Sequence, residues 1–205
     1  MKQKNPFVSL LISLFIVFIL SYIVYTCCAY LLCVNSSATM PENIPQEFLR
    51  INIYGSSSME NNNTVSGKFA IIDSKGNEIA EIERSWRGSY LAVEFSQLKI
   101  NSKFYVFPYR IYGKNRIIEE RAERRKGTYL EKYYNDYGQC MLLGYDSTFG
   151  ERRKLYRLAV FALQKYPSIN FGLTTNYTVD LSGCKPDKYY SISCKSNGEF
   201  VISEL

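Results

Sequence analysis

The chain contains no histidine. That absence excludes the Ser-His-Asp and Cys-His nucleophile systems, the HExxH zinc proteases and the imidazole general base, together with any Cys2His2 metal site. No CxxC pair occurs, so neither a dithiol redox motif nor a zinc knuckle is encoded. Only 12 Gly and 6 Pro are spread over 205 residues, which removes the linker and low-complexity classes. One stretch lacks charge altogether: Phe7 through Val34 holds no Asp, Glu, Lys or Arg, and no Pro or Gly.

That run of 28 residues exceeds the roughly 20 that a helix needs to cross a hydrocarbon core, and it predicts a transmembrane helix over 7–34 in contact with the lipid bilayer. Its Ser9, Ser13, Ser21 and Thr26 hydroxyls can bond back to helix carbonyls. Tyr22, Tyr25 and Tyr30 lie toward its second half, as in an interfacial aromatic belt. Lys2 and Lys4 precede the run, whereas the first cation after it is Arg50, beyond Glu42 and Glu47. The positive-inside rule then makes 1–6 a cytoplasmic tail and places the rest outside, as a single-pass protein of the cell membrane. A cleaved signal peptide competes with this, with Ser36-Ser37-Ala38 as the cleavage site. Secretory apolar regions run only about 7–15 residues, so length favours an uncleaved signal anchor.

What is there beyond the run fits one ordinary domain. Of the net charge of +6, Lys2 and Lys4 account for two, leaving +4. That is too little for a dedicated nucleic-acid binder, so nucleic acid is not an expected partner. Aromatics make up 15%, led by 18 Tyr, a composition that favours strands. Residues 35–47, polar with Pro41 and Pro45, read as an extended spacer, and 48–205 as an extracytoplasmic domain.

Strand-like runs occur at 48–54, 68–72, 78–83, 90–95, 103–112, 170–181, 188–194 and 199–203. Asp73-Ser74-Lys75-Gly76-Asn77 reads as a hairpin turn rather than a calcium loop. Pro108 marks an edge strand or a bulge. The principal amphipathic helix is predicted at 149–166, with Thr148 and Glu151 as a capping box and Pro167 beyond its end. The stretch 113–138 is ambiguous. The predicted fold class is α+β: one transmembrane helix, then an antiparallel β-rich domain.

Three cysteines (Cys27, Cys28, Cys33) sit in the apolar run and three (Cys140, Cys184, Cys194) in the domain. Cys184 and Cys194 flank a short loop turning at Pro186-Asp187 and form the candidate disulfide, worth roughly 2–3 kcal/mol. Three buried free thiols are the alternative. Sequons stand at Asn35, Asn62 and Asn176.

The candidate anionic-ligand surface is Arg116, Arg121, Arg124, Arg125 and Lys126, with Arg110 and Lys114 before it and Tyr129, Tyr133, Tyr134 and Tyr137 after it. Cations beside aromatics suit phosphates, anionic polymers or sugars; a solvated face with internal ion pairs is the plainer reading, because such runs are commonly that. Arg152, Arg153, Lys154 and Arg157 form a second basic group, placed against the helix dipole. Trp86 is expected in the core.

No cofactor or metal is expected. The preferred function is a non-enzymatic, membrane-tethered envelope or surface domain binding a protein or an anionic polymer. The alternative is a carboxylate-dependent hydrolase or transferase acting on an envelope polymer, drawing on Glu81, Glu83, Glu94, Asp136 or Asp146, positions otherwise expected at exposed sites. A cytoplasmic domain binding an anionic surface or nucleic acid is a third reading.

Overall fold

The apolar run forms one helix, and the helix outlasts it. In the computed structural model, which describes residues 6–57, 63–115, 126–165 and 172–205, α1 spans Pro6–Thr39. Serine and threonine at its end are weak helix formers, but here they bond backward along the helix. Ser36 Oγ donates to Leu32 O and Ser37 Oγ to Val34 O, both at 2.8 Å. Up to Tyr25 the large apolar side chains stand exposed around most of the helix. From Thr26 a buried stripe begins at helical spacing: Thr26, Cys33, Ser37 and Met40 are buried, with Ala29 and Tyr30 half-buried. Residues 35–47, read from sequence as an extended spacer, are therefore seated on the domain. Their first part continues α1, Met40, Asn43 and Ile44 are buried, and β1 begins at Gln46.

The strands follow as β1 (Gln46–Ser57), β2 (Thr64–Ile72), β3 (Glu78–Arg87), β4 (Tyr90–Ile100), β5 (Lys103–Lys114), β6 (Thr128–Tyr129), β7 (Asn135–Asp136), β8 (Gln139–Cys140), β9 (Thr174–Asp180), β10 (Tyr189–Cys194) and β11 (Phe200–Glu204). A five-stranded sheet has the order β11-β10-β1-β2-β3, a four-stranded sheet β6-β5-β4-β9, and β7 pairs with β8. Every described pairing is antiparallel. The fold is α+β.

Local chemistry sets the turns. In the β2–β3 hairpin, buried Asp73 accepts from the backbone N–H of Lys75 (2.8 Å) and of Asn77 (2.9 Å), which is turn chemistry. Proline cannot donate to a ladder; accordingly Phe95 pairs with Pro108 and Glu94 with Arg110, leaving Tyr109 as the extra residue of a bulge. Asn101 and Ser102 join β4 to β5, both in the left-handed region (φ 51° and 60°) that a two-residue hairpin turn requires.

Helix α2 (Glu131–Tyr134) is one short turn, and α3 is Phe149–Ala162. The expected capping box between Thr148 and Glu151 forms in both directions. The helix ends at Ala162 rather than 166, with Gln164 left-handed at φ 49°. Leu155, Leu158, Ala159 and Ala162 are its buried face.

Strand β4 is the middle of the molecule, buried from Leu91 through Leu98. On one face Phe95 meets Phe48 and Phe200 of the five-stranded sheet, at ring separations of 6.1 and 4.5 Å. On the other, Ser96 Oγ donates to the α3 carbonyl of Ala162 at 2.7 Å. The layers run sheet, sheet, helices, with the end of α1 in the last.

Candidate functional site

The tip of the β4–β5 hairpin closes the end of α1. Asn101 Nδ2 donates to Ser37 Oγ at 2.7 Å, and Lys103 Nζ to the carbonyls of Ser37 and Met40 at 2.9 and 2.7 Å. The Tyr105 hydroxyl donates to Met40 O at 3.1 Å, and burial pushes that phenol up to about 12, so it stays protonated. Carbonyls at a helix end lack intrahelical partners and favour a cation, and Lys103 supplies both needs.

Beneath the four-stranded sheet lies a sealed ion pair. Glu94 is fully buried, and Arg110 opposite it on β5 reaches its Oε2 at 2.6 Å. The guanidinium lies 4.8 Å from the Tyr109 ring centre and 5.4 Å from that of Tyr129. Nearby, Trp86 Nε1 donates to Thr128 Oγ1 at 3.0 Å, with the indole in the core as expected. Lys114, also buried, donates to Asp180 at 2.6 Å. Burial alone would raise the Asp180 carboxyl, but hydrogen bonds from Lys114 and Ser182 outweigh it and hold the carboxyl below the usual range. Arg110 and Lys114, grouped from sequence with a basic surface, are thus interior ion-pair members.

Of the predicted anionic-ligand surface, Arg116, Arg121, Arg124 and Arg125 lie outside the described residues, and Lys126 is exposed beside β6. Tyr129 packs on Arg110, Tyr134 is buried with its hydroxyl donating to Pro108 O at 2.7 Å, and Tyr137 is exposed.

The second basic group divides. Arg152 donates to Gln139 Oε1 at 2.9 Å and to the carbonyls of Tyr145 and Ser147 at 2.9 and 2.7 Å. Binding those carbonyls is the use of a cation at the start of a helix, where the dipole disfavours it. Arg153, Lys154 and Arg157 make no ion pair among the described residues. Arg157 lines a groove of about 170 Å³ between α1 and α3, together with Tyr25, Ala29, Leu32, Tyr156, Val160 and Phe161. A second cleft, about 180 Å³, opens at one end of the sheets, with Ile53, Leu91, Cys184 and Pro186 in its wall.

The carboxylates of the hydrolase alternative do not converge. Glu81 pairs with Lys68 at 2.6 Å on the exposed face of β3, and Glu83 projects from that same face. Asp146 pairs with Lys75 at 2.7 Å, Asp136 is exposed on β7, and Glu94, expected at an exposed strand position, is instead closed in by Arg110. Among the described residues neither groove has a carboxylate in its wall. Among the described residues no group of three or more His, Cys, Asp or Glu side chains is gathered as a metal site.

Cys184 and Cys194 are free thiols. Cys194 stands opposite Gln46 at the start of β1, whereas Cys184 shares the cleft wall with Ile53 near the other end of that strand. Bridging requires Cα atoms within about 7 Å, and the length of β10 separates these two.

Sequence reasoning passed over three features: the buried Glu94–Arg110 pair, the hairpin clamp on α1 and the α1–α3 groove. Only the last had a signal, the basic residues Arg153, Lys154 and Arg157 set against the dipole of the helix at 149–166. Comparison of the chain with family models, with curated proteins and with solved structures returns no match.

Proposed function

We propose that this chain is a membrane-anchored, non-enzymatic binding protein of the cell envelope or surface, with α1 crossing the bilayer, the N-terminus cytoplasmic and the β-rich domain on the far side. The observation that carries the reading is the change in α1 at Thr26. From Phe7 to Tyr25 its large side chains, half-buried Tyr22 apart, are exposed, and about 19 residues at about 1.5 Å each make about 28 Å. A hydrocarbon core is about 30 Å thick. Nothing among the described residues covers that length, and lipid would. From Thr26 onward one face of the same helix is buried by protein, which supports a domain held close to the membrane surface.

Scattered or sealed carboxylates favour binding over hydrolysis. The partner in this reading is a protein or an anionic polymer, met by the surface away from the bilayer.

Two measurements test it. The full chain should resist extraction by alkaline carbonate; release into the soluble fraction would remove the anchor. In a Cys184→Ser background, Ser203→Cys on exposed β11 should react with a membrane-impermeant maleimide on intact cells. Labelling only after lysis would reverse the orientation.

A further inference from the structure

We infer that the groove between α1 and α3 is a phospholipid site, which takes one acyl chain along α1 and holds the lipid phosphate on Arg157. This rests on the membrane-anchored reading and gives that anchor a specific ligand.

Position comes first. The groove begins at Tyr25, where α1 passes from exposed on nearly all sides to buried along one face, with Leu31 and Leu32 still exposed beyond it; in the membrane-anchored reading this level is the boundary between hydrocarbon and headgroups. Tyr25, Ala29 and Leu32 recur at helical spacing on one face of α1, and the small side chain of Ala29 leaves a hollow between its larger neighbours. Across from them α3 sets Tyr156 and Val160. The walls are apolar save for tyrosine hydroxyls and one guanidinium, and tyrosine is the residue that concentrates at headgroup level.

Size narrows the ligand. About 170 Å³ is well below the roughly 300–1,000 Å³ of sites that enclose a whole small molecule. A single hydrocarbon chain entering from the open side fits, and the bilayer supplies such chains at the groove's own depth.

Charge supplies the rest. Arg157 is half-buried in this groove and makes no hydrogen bond or ion pair among the described residues. A partly desolvated cation without an anion is costly, and a planar guanidinium matches a phosphate with two parallel donors. Arg153, one turn earlier, makes no ion pair among the described residues, and Lys154 has only the nearby Glu151 carboxylate as an electrostatic partner, which adds positive potential beside the headgroup. Among the described residues, the cleft at the end of the sheets has neither a cation in its wall nor contact with the exposed length of α1.

The test is native mass spectrometry of the detergent-purified full chain titrated with dioleoyl phosphatidylglycerol. One lipid should bind in excess of nonspecific adducts. Arg157→Gln should weaken it about tenfold and Arg157→Lys less. Val160→Trp, which fills the groove, should abolish it, and Lys195→Gln, on the distant β10–β11 turn, should change nothing. Millimolar inorganic phosphate should not displace the lipid; displacement that depends on Arg157 would make this a free-phosphate site and overturn the proposal. Equal binding by wild type and Arg157→Gln, both with the same lipid-free melting temperature, would also overturn it, and that comparison decides the matter even where Val160→Trp fails to fold. A chain that stays in membranes under carbonate but shows no Arg157-dependent lipid refutes only the groove; a chain released by carbonate refutes the anchor itself.

Discussion

The side chain of Asn43 pairs with the backbone of Val106 in both directions: Nδ2 donates to Val106 O at 2.7 Å, and Oδ1 accepts from Val106 N at 2.8 Å. One side-chain amide thus does the work of a ladder partner for β5, and does so within the short segment that joins α1 to β1. Asn43→Ala leaves a buried donor and acceptor unmatched, which should cost about 2 kcal/mol. Thermal unfolding of the full chain in detergent should show a melting temperature lower by roughly 4–8 °C. A shift under one degree would mean that Val106 finds other partners.

Removing one member of the Glu94–Arg110 pair should be far worse than removing both. Glu94→Ala takes from the Arg110 guanidinium, which lies between the Tyr109 and Tyr129 rings, its buried carboxylate at 2.6 Å, and loss of one partner from a buried pair costs about 3–5 kcal/mol. The double variant Glu94→Met with Arg110→Met should lose less than the sum of the singles in chemical denaturation. Additive losses would show that the pair is not coupled.

Acid should weaken the protein partly through Asp180. Its carboxyl is held below its unfolded value by the hydrogen bonds from Lys114 and Ser182, against the opposing effect of burial. A depressed native value contributes stability that is complete above the unfolded value of about 3.9 and disappears as pH falls through the native one. Wild type should therefore exceed Asp180→Asn in stability at neutral pH, with the gap closing below about pH 4. A gap that stays constant from pH 7 to pH 3 would contradict the linkage.

Thiol chemistry should follow burial. Burial pushes Cys140 up to about 12 and Cys194 up to about 11, and it raises half-buried Cys184 as well. Among these three, Cys184 should alkylate first in the native state, and Cys140 and Cys194 only on unfolding. Peptide mapping without reduction should find no Cys184–Cys194 bridge, since β10 holds the two apart.

What could be read in the sequence was local. Thr148 and Glu151 lie three residues apart, and Asp73 bonds to residues two and four positions on, so each feature is complete within a few letters. Pro108 announced its bulge because a missing N–H has only a few remedies. Glu94 misled for a physical reason: a strand with one wet face alternates, but β4 is covered on both faces, so its polar residue marked an ion pair sixteen positions away rather than solvent. Asn43 was hidden by distance, its partner being 63 residues further on. The polar letters of 35–47 suggested a loose connector, because nothing nearby shows that Ser37 and Met40 receive Asn101, Lys103 and Tyr105. The α1–α3 groove depends on two segments separated by more than a hundred residues, and only the basic group of one of them, set against its helix dipole, was visible.

A domain on a slack cord can swivel without regard to the helix that holds it. Here α1 runs without a break into a socket formed by the β4–β5 hairpin, so rod and head turn together. In the membrane-anchored reading proposed above, a bilayer that thickens or thins changes the tilt of α1, and that change swings the five-stranded sheet through the same angle. Membrane thickness is thereby converted into the direction in which the outer sheet points.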